Sequence, residues 1–89
     1  MKKSPKYPLK SSSDNKLSKA LYLINDQYNS FDHVINCLAA ICDHDELQAE
    51  QCALITHYKG ICEIVVGKQE DLIPLQEDLS IYGLNVEIF

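Results

Sequence analysis

The chain has no arginine, only three glycines, and no apolar run that approaches the length of a membrane span. Each shortage excludes something. The glycines stand singly at 60, 67 and 83, so neither a Gly-x-Gly loop nor a Gly-Lys-Ser/Thr motif is available to cradle a phosphate. No Gly-x-Ser-x-Gly nucleophile elbow occurs. Ser30, His57 and Asp26 supply the residue types of a hydrolytic triad, but geometry defines a triad and inventory does not. Catalysis is therefore not expected. Nor is a cofactor, because 89 residues bury only a modest core. Cysteine is present four times, at 37, 42, 52 and 62, with no Cys-x-x-Cys pair. Without that paired spacing a zinc site is not expected, and each thiol falls in an apolar or helical pattern where it acts as a small hydrophobe.

Charge is divided along the chain. Residues 1–19 hold six lysines and one aspartate, whereas residues 20–89 hold Lys59 and Lys68 against twelve acids. An acidic folded part argues against nucleic-acid binding, which needs a basic face. The amino-terminal stretch lacks the apolar core of a secretory signal, so a cytoplasmic protein is expected. Residues 1–18, rich in lysine and serine, read as a flexible leader. A cationic arm that docks on another protein is the alternative. Residues 19–89 read as one domain.

Within it, ALYLI (20–24) is a short apolar run ended by Asn25-Asp26, a buried strand. Asn29 or Ser30 can cap a following helix, with Asp32 in its first turn. Phe31, Val34, Ile35, Leu38 and Cys42 then form one apolar stripe. Asp45-Glu-Leu-Gln48 resembles a capping box for a second helix, which includes Leu47, Cys52 and Ile55 and stops at Lys59-Gly60. ICEIVV (61–66) is a second strand, after which Gly67 turns the chain. A third helix is predicted over about 70–82 with Leu72, Leu75, Leu79 and Tyr82 on one side. Pro74 places its start near Asp71, because proline is tolerated only in a first turn. Gly83 ends it, and LNVEIF alternates as a last strand. The order β-α-α-β-α-β predicts an α+β two-layer sandwich, a small sheet with helices on one face.

Asn25-Asp26 alone reads as a turn, since both side chains bond nearby backbone. His57 alone reads as a helix-end residue that favours the dipole. Together they offer an amide oxygen, a carboxylate and a neutral imidazole nitrogen, three acceptors for the three donors of a primary ammonium. Phe31, Val34, Ile35 and Leu38 on one helix, with Ala53 and Thr56 on the other, supply apolar surface beside them. Acceptors at the rim of an apolar pocket suit an α-amine carrying a hydrophobic side chain.

INDQYNSFDHVI followed at helical distance by AEQCALITHYKG resembles ClpS, the adaptor family of the ATP-dependent Clp protease, over residues 19–89. The marks of the resemblance are Asn25-Asp26, Val34 and Leu38, Ala49-Glu50-Gln51, and His57-Tyr58-x-Gly60. It implies the same strand and helix order, with a three-stranded antiparallel sheet, a fold shared with a ribosomal stalk protein's C-terminal domain. It further implies a non-enzymatic monomer that binds substrates whose first residue is Leu, Phe, Tyr or Trp. Such substrates pass to a hexameric AAA+ unfoldase, ClpA or a relative, paired with ClpP. On this resemblance Asn25, Asp26, Gln27 and His57 hold the α-amine, while Asn29, Phe31, Val34, Leu38, Ala53 and Thr56 form the side-chain pocket. No metal, nucleic acid or membrane is implied. Three departures from the family pattern stand out. Gln27 replaces a second acid, Asn29-Ser30 replaces Thr-Pro, and Phe31 occupies the place of a gating methionine opposite the small Ala53 and Thr56. An interaction module on the same fold, without recognition of the first residue, is the competing expectation.

Overall fold

A computed structural model describes residues 18–89. The elements run β1 (Ser18–Ile24), α1 (Phe31–Cys42), α2 (Glu46–Lys59), β2 (Ile61–Lys68), α3 (Gln69–Ile81) and β3 (Val86–Ile88). This is the predicted order. The leader expected over residues 1–18 lies outside the described residues except for Ser18, which opens β1.

The sheet is antiparallel throughout, with β1 between β2 and β3. Leu21 and Leu23 point inward, opposite Val65 and Cys62 on β2 and Ile88 and Val86 on β3. Period-two alternation puts Tyr22 on the other face, where its ring meets that of Phe89 at 5.5 Å. A bulge between Leu21 and Tyr22 shifts the β1–β2 register. The helices cover the inner face. Leu38, Leu72 and Leu79 from α1 and α3 join Leu21 as the largest fully buried side chains.

The helix ends follow the local chemistry. Ser30 caps α1, its hydroxyl accepting from the His33 N–H at 3.1 Å. Asp45 caps α2 in the same way, accepting from Gln48 N–H at 2.8 Å, which is the forward half of the expected capping box. Gly60 closes α2 at φ +91° and Gly83 follows α3 at φ +89°, both left-handed positions that suit glycine. Asp43 takes that conformation as well, at φ 60°, to turn the chain out of α1.

Three local expectations need correction. Gly67 does not turn the chain, because β2 continues through it to Lys68 and α3 begins at once with Gln69. Pro74 consequently lies inside α3, past the first turn. Proline has no N–H for the Glu70 carbonyl, but both residues are exposed and water can serve that acceptor. Tyr82 is not on the buried side; it lies beyond the helix end, 58% exposed, while the Leu84 N–H bonds back to Leu79. On α2, Cys52 is buried but Leu47 and Ile55 face solvent, because the helix packs through Ala49, Cys52, Ala53 and Thr56.

Candidate functional site: a cavity between the ends of β1, α1 and α2

The site is made by chain ends tied together. Where β1 stops, the Asn25 N–H donates to the Gly60 carbonyl at 2.9 Å, and the Ile24 N–H donates to Asn85 at 2.8 Å. The first bond draws the Asn25-Asp26 segment to the C-terminal end of α2, where His57 occupies the last turn. The second brings in the segment that follows α3. Between these ends and the start of α1 lies a cavity of about 280 Å³.

Nine of the ten residues anticipated for a site line this cavity: Asn25, Asp26, Gln27, Asn29, Phe31, Val34, Ala53, Thr56 and His57. Leu38 does not. It is completely buried in the core one turn behind Val34. Leu23, Ile24 and Leu84 also line the cavity and were not anticipated. Their sequence signal is that of ordinary strand and post-helix core residues. Only the fold reveals that the strand end and the Gly83-Leu84 turn close the floor.

Asn25, Gln27 and His57 are exposed at the rim, whereas Ala53 and Thr56 are buried. The Thr56 hydroxyl is already spent on the Cys52 carbonyl at 2.8 Å. Phe31, 39% exposed, approaches the His57 ring edge-on, with centroids 5.6 Å apart and planes at 81°. His57 meets Tyr58 similarly at 5.0 Å and 80°. The imidazole is thus in ring contact with both Phe31 and Tyr58.

Asp26 organises the loop. One carboxylate oxygen accepts from the Tyr28 and Asn29 N–H groups at 2.8 and 2.9 Å, and the other accepts from Asn29 Nδ2 at 2.8 Å. Asn29 Nδ2 also donates to the Gly83 carbonyl at 3.0 Å, which anchors the loop to the turn after α3. The partial burial of Asp26 pushes its pKa up. The three hydrogen bonds more than offset this and hold the carboxyl below its usual value. A carboxylate therefore stays ionised beside the mouth. The carbonyl end of α2 adds partial negative charge on the other side. The mouth is consequently rich in acceptors and favours a cation, while the interior is apolar.

Nearby, His33 Nε2 lies 2.8 Å from the Tyr82 carbonyl, which assigns the ring proton to that nitrogen. This bond ties α1 to the same post-α3 turn. Among the described residues no three His, Cys, Asp or Glu side chains gather as a metal site, and no helix is long and apolar enough to cross a membrane.

Comparison with known proteins agrees with this architecture. The chain matches the family described as ATP-dependent Clp protease adaptor protein ClpS over residues 17–87. It belongs to the ClpS family. Members of that family are adaptors of the Clp protease and not catalysts, and they work with its AAA+ components. Among solved structures, Agrobacterium tumefaciens ClpS2 bound to L-phenylalaninamide superposes with a TM-score of 0.75 at 19% identity, covering 81% of this chain and 94% of that one. The ClpS-like order and antiparallel sheet expected from the sequence are thereby found. No curated protein matches the chain.

Proposed function

We propose that this ClpS-family chain binds proteins through an N-terminal Leu, Phe, Tyr or Trp and delivers them to a Clp AAA+ unfoldase, ClpA or a relative, paired with ClpP. The observation that carries the reading is the cavity itself. Acceptors from Asn25, Gln27 and His57, with the ionised Asp26 behind them, surround the mouth of a space walled by Phe31, Val34, Ala53 and Leu84. An α-ammonium seated at the mouth would donate to Asn25 and His57, and its side chain would enter the apolar interior. Asp26 acts on it through charge, since its oxygens already serve the loop. The phenylalanine-derived ligand of the A. tumefaciens protein has this chemistry, an amine next to an aromatic side chain.

Titration with labelled peptides that differ only at the first residue tests the reading. Phe, Tyr, Trp and Leu peptides are expected to bind at least about tenfold more tightly than an N-terminal Gly or Glu peptide, a difference of about 1.4 kcal/mol. Acetylation of the amine is expected to abolish binding, and Asn25→Ala or His57→Ala to weaken it. Gln27 motivates a second reading, in which the module engages the unfoldase without first-residue recognition. Equal affinity for free and acetylated peptides would select that one.

A further inference from the structure

The four cysteines are free thiols, and they are not equivalent. Cys52 on α2 is buried, whereas Cys62 on β2 is partly exposed. Both thiols point to one acceptor, the Glu63 carbonyl oxygen, with Cys52 Sγ at 4.0 Å and Cys62 Sγ at 3.4 Å. A shared acceptor brings the two side chains to the same place between α2 and β2. By contrast, Cys37 and Cys42 belong to one helix five residues apart, about 140° around its axis, and regular helix geometry keeps such positions on different faces. Cys42 on α1 lies near Cys52 as well, but only Cys52 and Cys62 share an acceptor across two elements.

Its location is also distinctive. Cys52 precedes Ala53, and Cys62 is the cross-strand partner of Leu23; both neighbours line the cavity. The Cys52 carbonyl in turn holds the Thr56 hydroxyl. The thiols therefore sit directly behind the cavity wall.

We propose that Cys52 and Cys62 form an oxidisable dithiol that closes reversibly into a disulfide between α2 and β2 and shifts the wall of the cavity. The oxidant is hydrogen peroxide. The more accessible Cys62, as thiolate, attacks one peroxide oxygen; the O–O bond breaks, water leaves after protonation, and Cys62 becomes a sulfenic acid. The Cys52 sulfur then attacks the Cys62 sulfur, the S–O bond breaks, and a second water carries away that oxygen and the Cys52 proton. Two electrons pass from two thiols to one peroxide. Burial, followed by the contact with Cys62, pushes the Cys52 thiol up, which suits it to the second step and not to the first. Disulfide bonding draws the sulfurs to about 2.05 Å, closer than any hydrogen-bond contact, so α2 and β2 must adjust around Ala53 and Leu23.

The test uses the full chain treated with hydrogen peroxide, then unfolded, alkylated and mapped by mass spectrometry. Two of the four thiols are expected to escape alkylation, with the peptides containing Cys52 and Cys62 joined and dithiothreitol restoring all four. The melting midpoint is expected to rise by roughly 5–15 °C on oxidation. Amide resonances of Leu23, Ala53 and Thr56 are expected to move, and those of distant residues on β3 to stay. Cys62→Ser should abolish cross-linking, and a Cys37→Ser/Cys42→Ser double variant should leave it intact. Should Cys52→Ser fail to fold, the wild-type map remains decisive. A different pairing, dimers linked through Cys62, or four alkylatable thiols after peroxide would overturn the dithiol. Cross-linking that leaves the Leu23, Ala53 and Thr56 resonances unmoved would overturn its coupling to the cavity.

Discussion

α1 and α2 flank the same cavity but meet the core in opposite ways. α1 turns large side chains inward, with Leu38 fully buried and Val34, Ile35 and Ile41 packed against the core. α2 buries only small ones, Ala49, Cys52, Ala53 and Thr56, and leaves Leu47, Leu54, Ile55 and Tyr58 in solvent. The contrast shows two uses of a helix. α1 provides apolar area and hence stability. α2 provides a low wall, and the space its alanine and threonine leave unfilled is part of the cavity.

That comparison fails if the two faces respond alike to mutation. Leu38→Ala should be the most damaging change, lowering unfolding free energy by about 2–5 kcal/mol in a urea titration, because the surrounding core cannot fully collapse onto the void. On the opposite helix, Ala53→Leu should cost far less, since the added atoms enter existing space. Its main effect should be to displace a large first residue, seen as weaker binding of the Phe peptide. An intermediate effect is expected at the loop between the two helices' partners. Asp26→Asn keeps the acceptor for the Tyr28 and Asn29 N–H groups but removes the charge, whereas Asp26→Ala removes both and should cost about 1 kcal/mol. The folded-state pKa of Asp26 is depressed, so its stabilising contribution is present above the ordinary carboxylate pKa and lost as pH falls through the folded value. The stability gap between wild type and Asp26→Asn should therefore close below about pH 4 in acid titrations followed by circular dichroism. Least affected should be Leu47→Gln, within about 0.5 kcal/mol of wild type, because Leu47 is 65% exposed.

The same contrast explains what could be read from the sequence. α1 was legible because its large residues carry the helical period and Ser30 sits where a cap belongs. The stops at Gly60 and Gly83 were legible because left-handed backbone selects glycine. The inner face of α2 was legible only in part: Ala53 and Thr56 were placed beside the site, but nothing local marked Ala49 as core. Ala, Cys and Thr give a weak signal, while Leu47, Leu54, Ile55 and Tyr58 give a strong one on the solvent side. Gly67 and Pro74 misled for a related reason: each is a local breaker, yet β2 is held by its pairing with β1 and the proline occurs on an exposed helix face where water can replace its missing bond. At the site, the polar rim was readable from acceptor chemistry. The floor made by Leu23, Ile24 and Leu84 was not, because closing it requires the long-range bond from Ile24 to Asn85. No local pattern encodes which strand end lies beside which turn.

The central place of β1 has a kinetic consequence. Its partners on one side are Val86–Ile88, so the contact of Leu21 with Ile88 closes a loop of nearly the whole described chain. Such distant pairing is slow to find, since the entropy of closure must be met before the contact rewards it. The α1–α2 hairpin and its turn into β2 can assemble from neighbours. The third strand cannot, and Leu84 and Asn85 arrive with it. The cavity is therefore the last part of the fold to be finished, so an order-of-events experiment such as pulsed hydrogen exchange should see amides of β2 protected before those of Ile24 and Phe89, which bond across to Asn85 and Ala20.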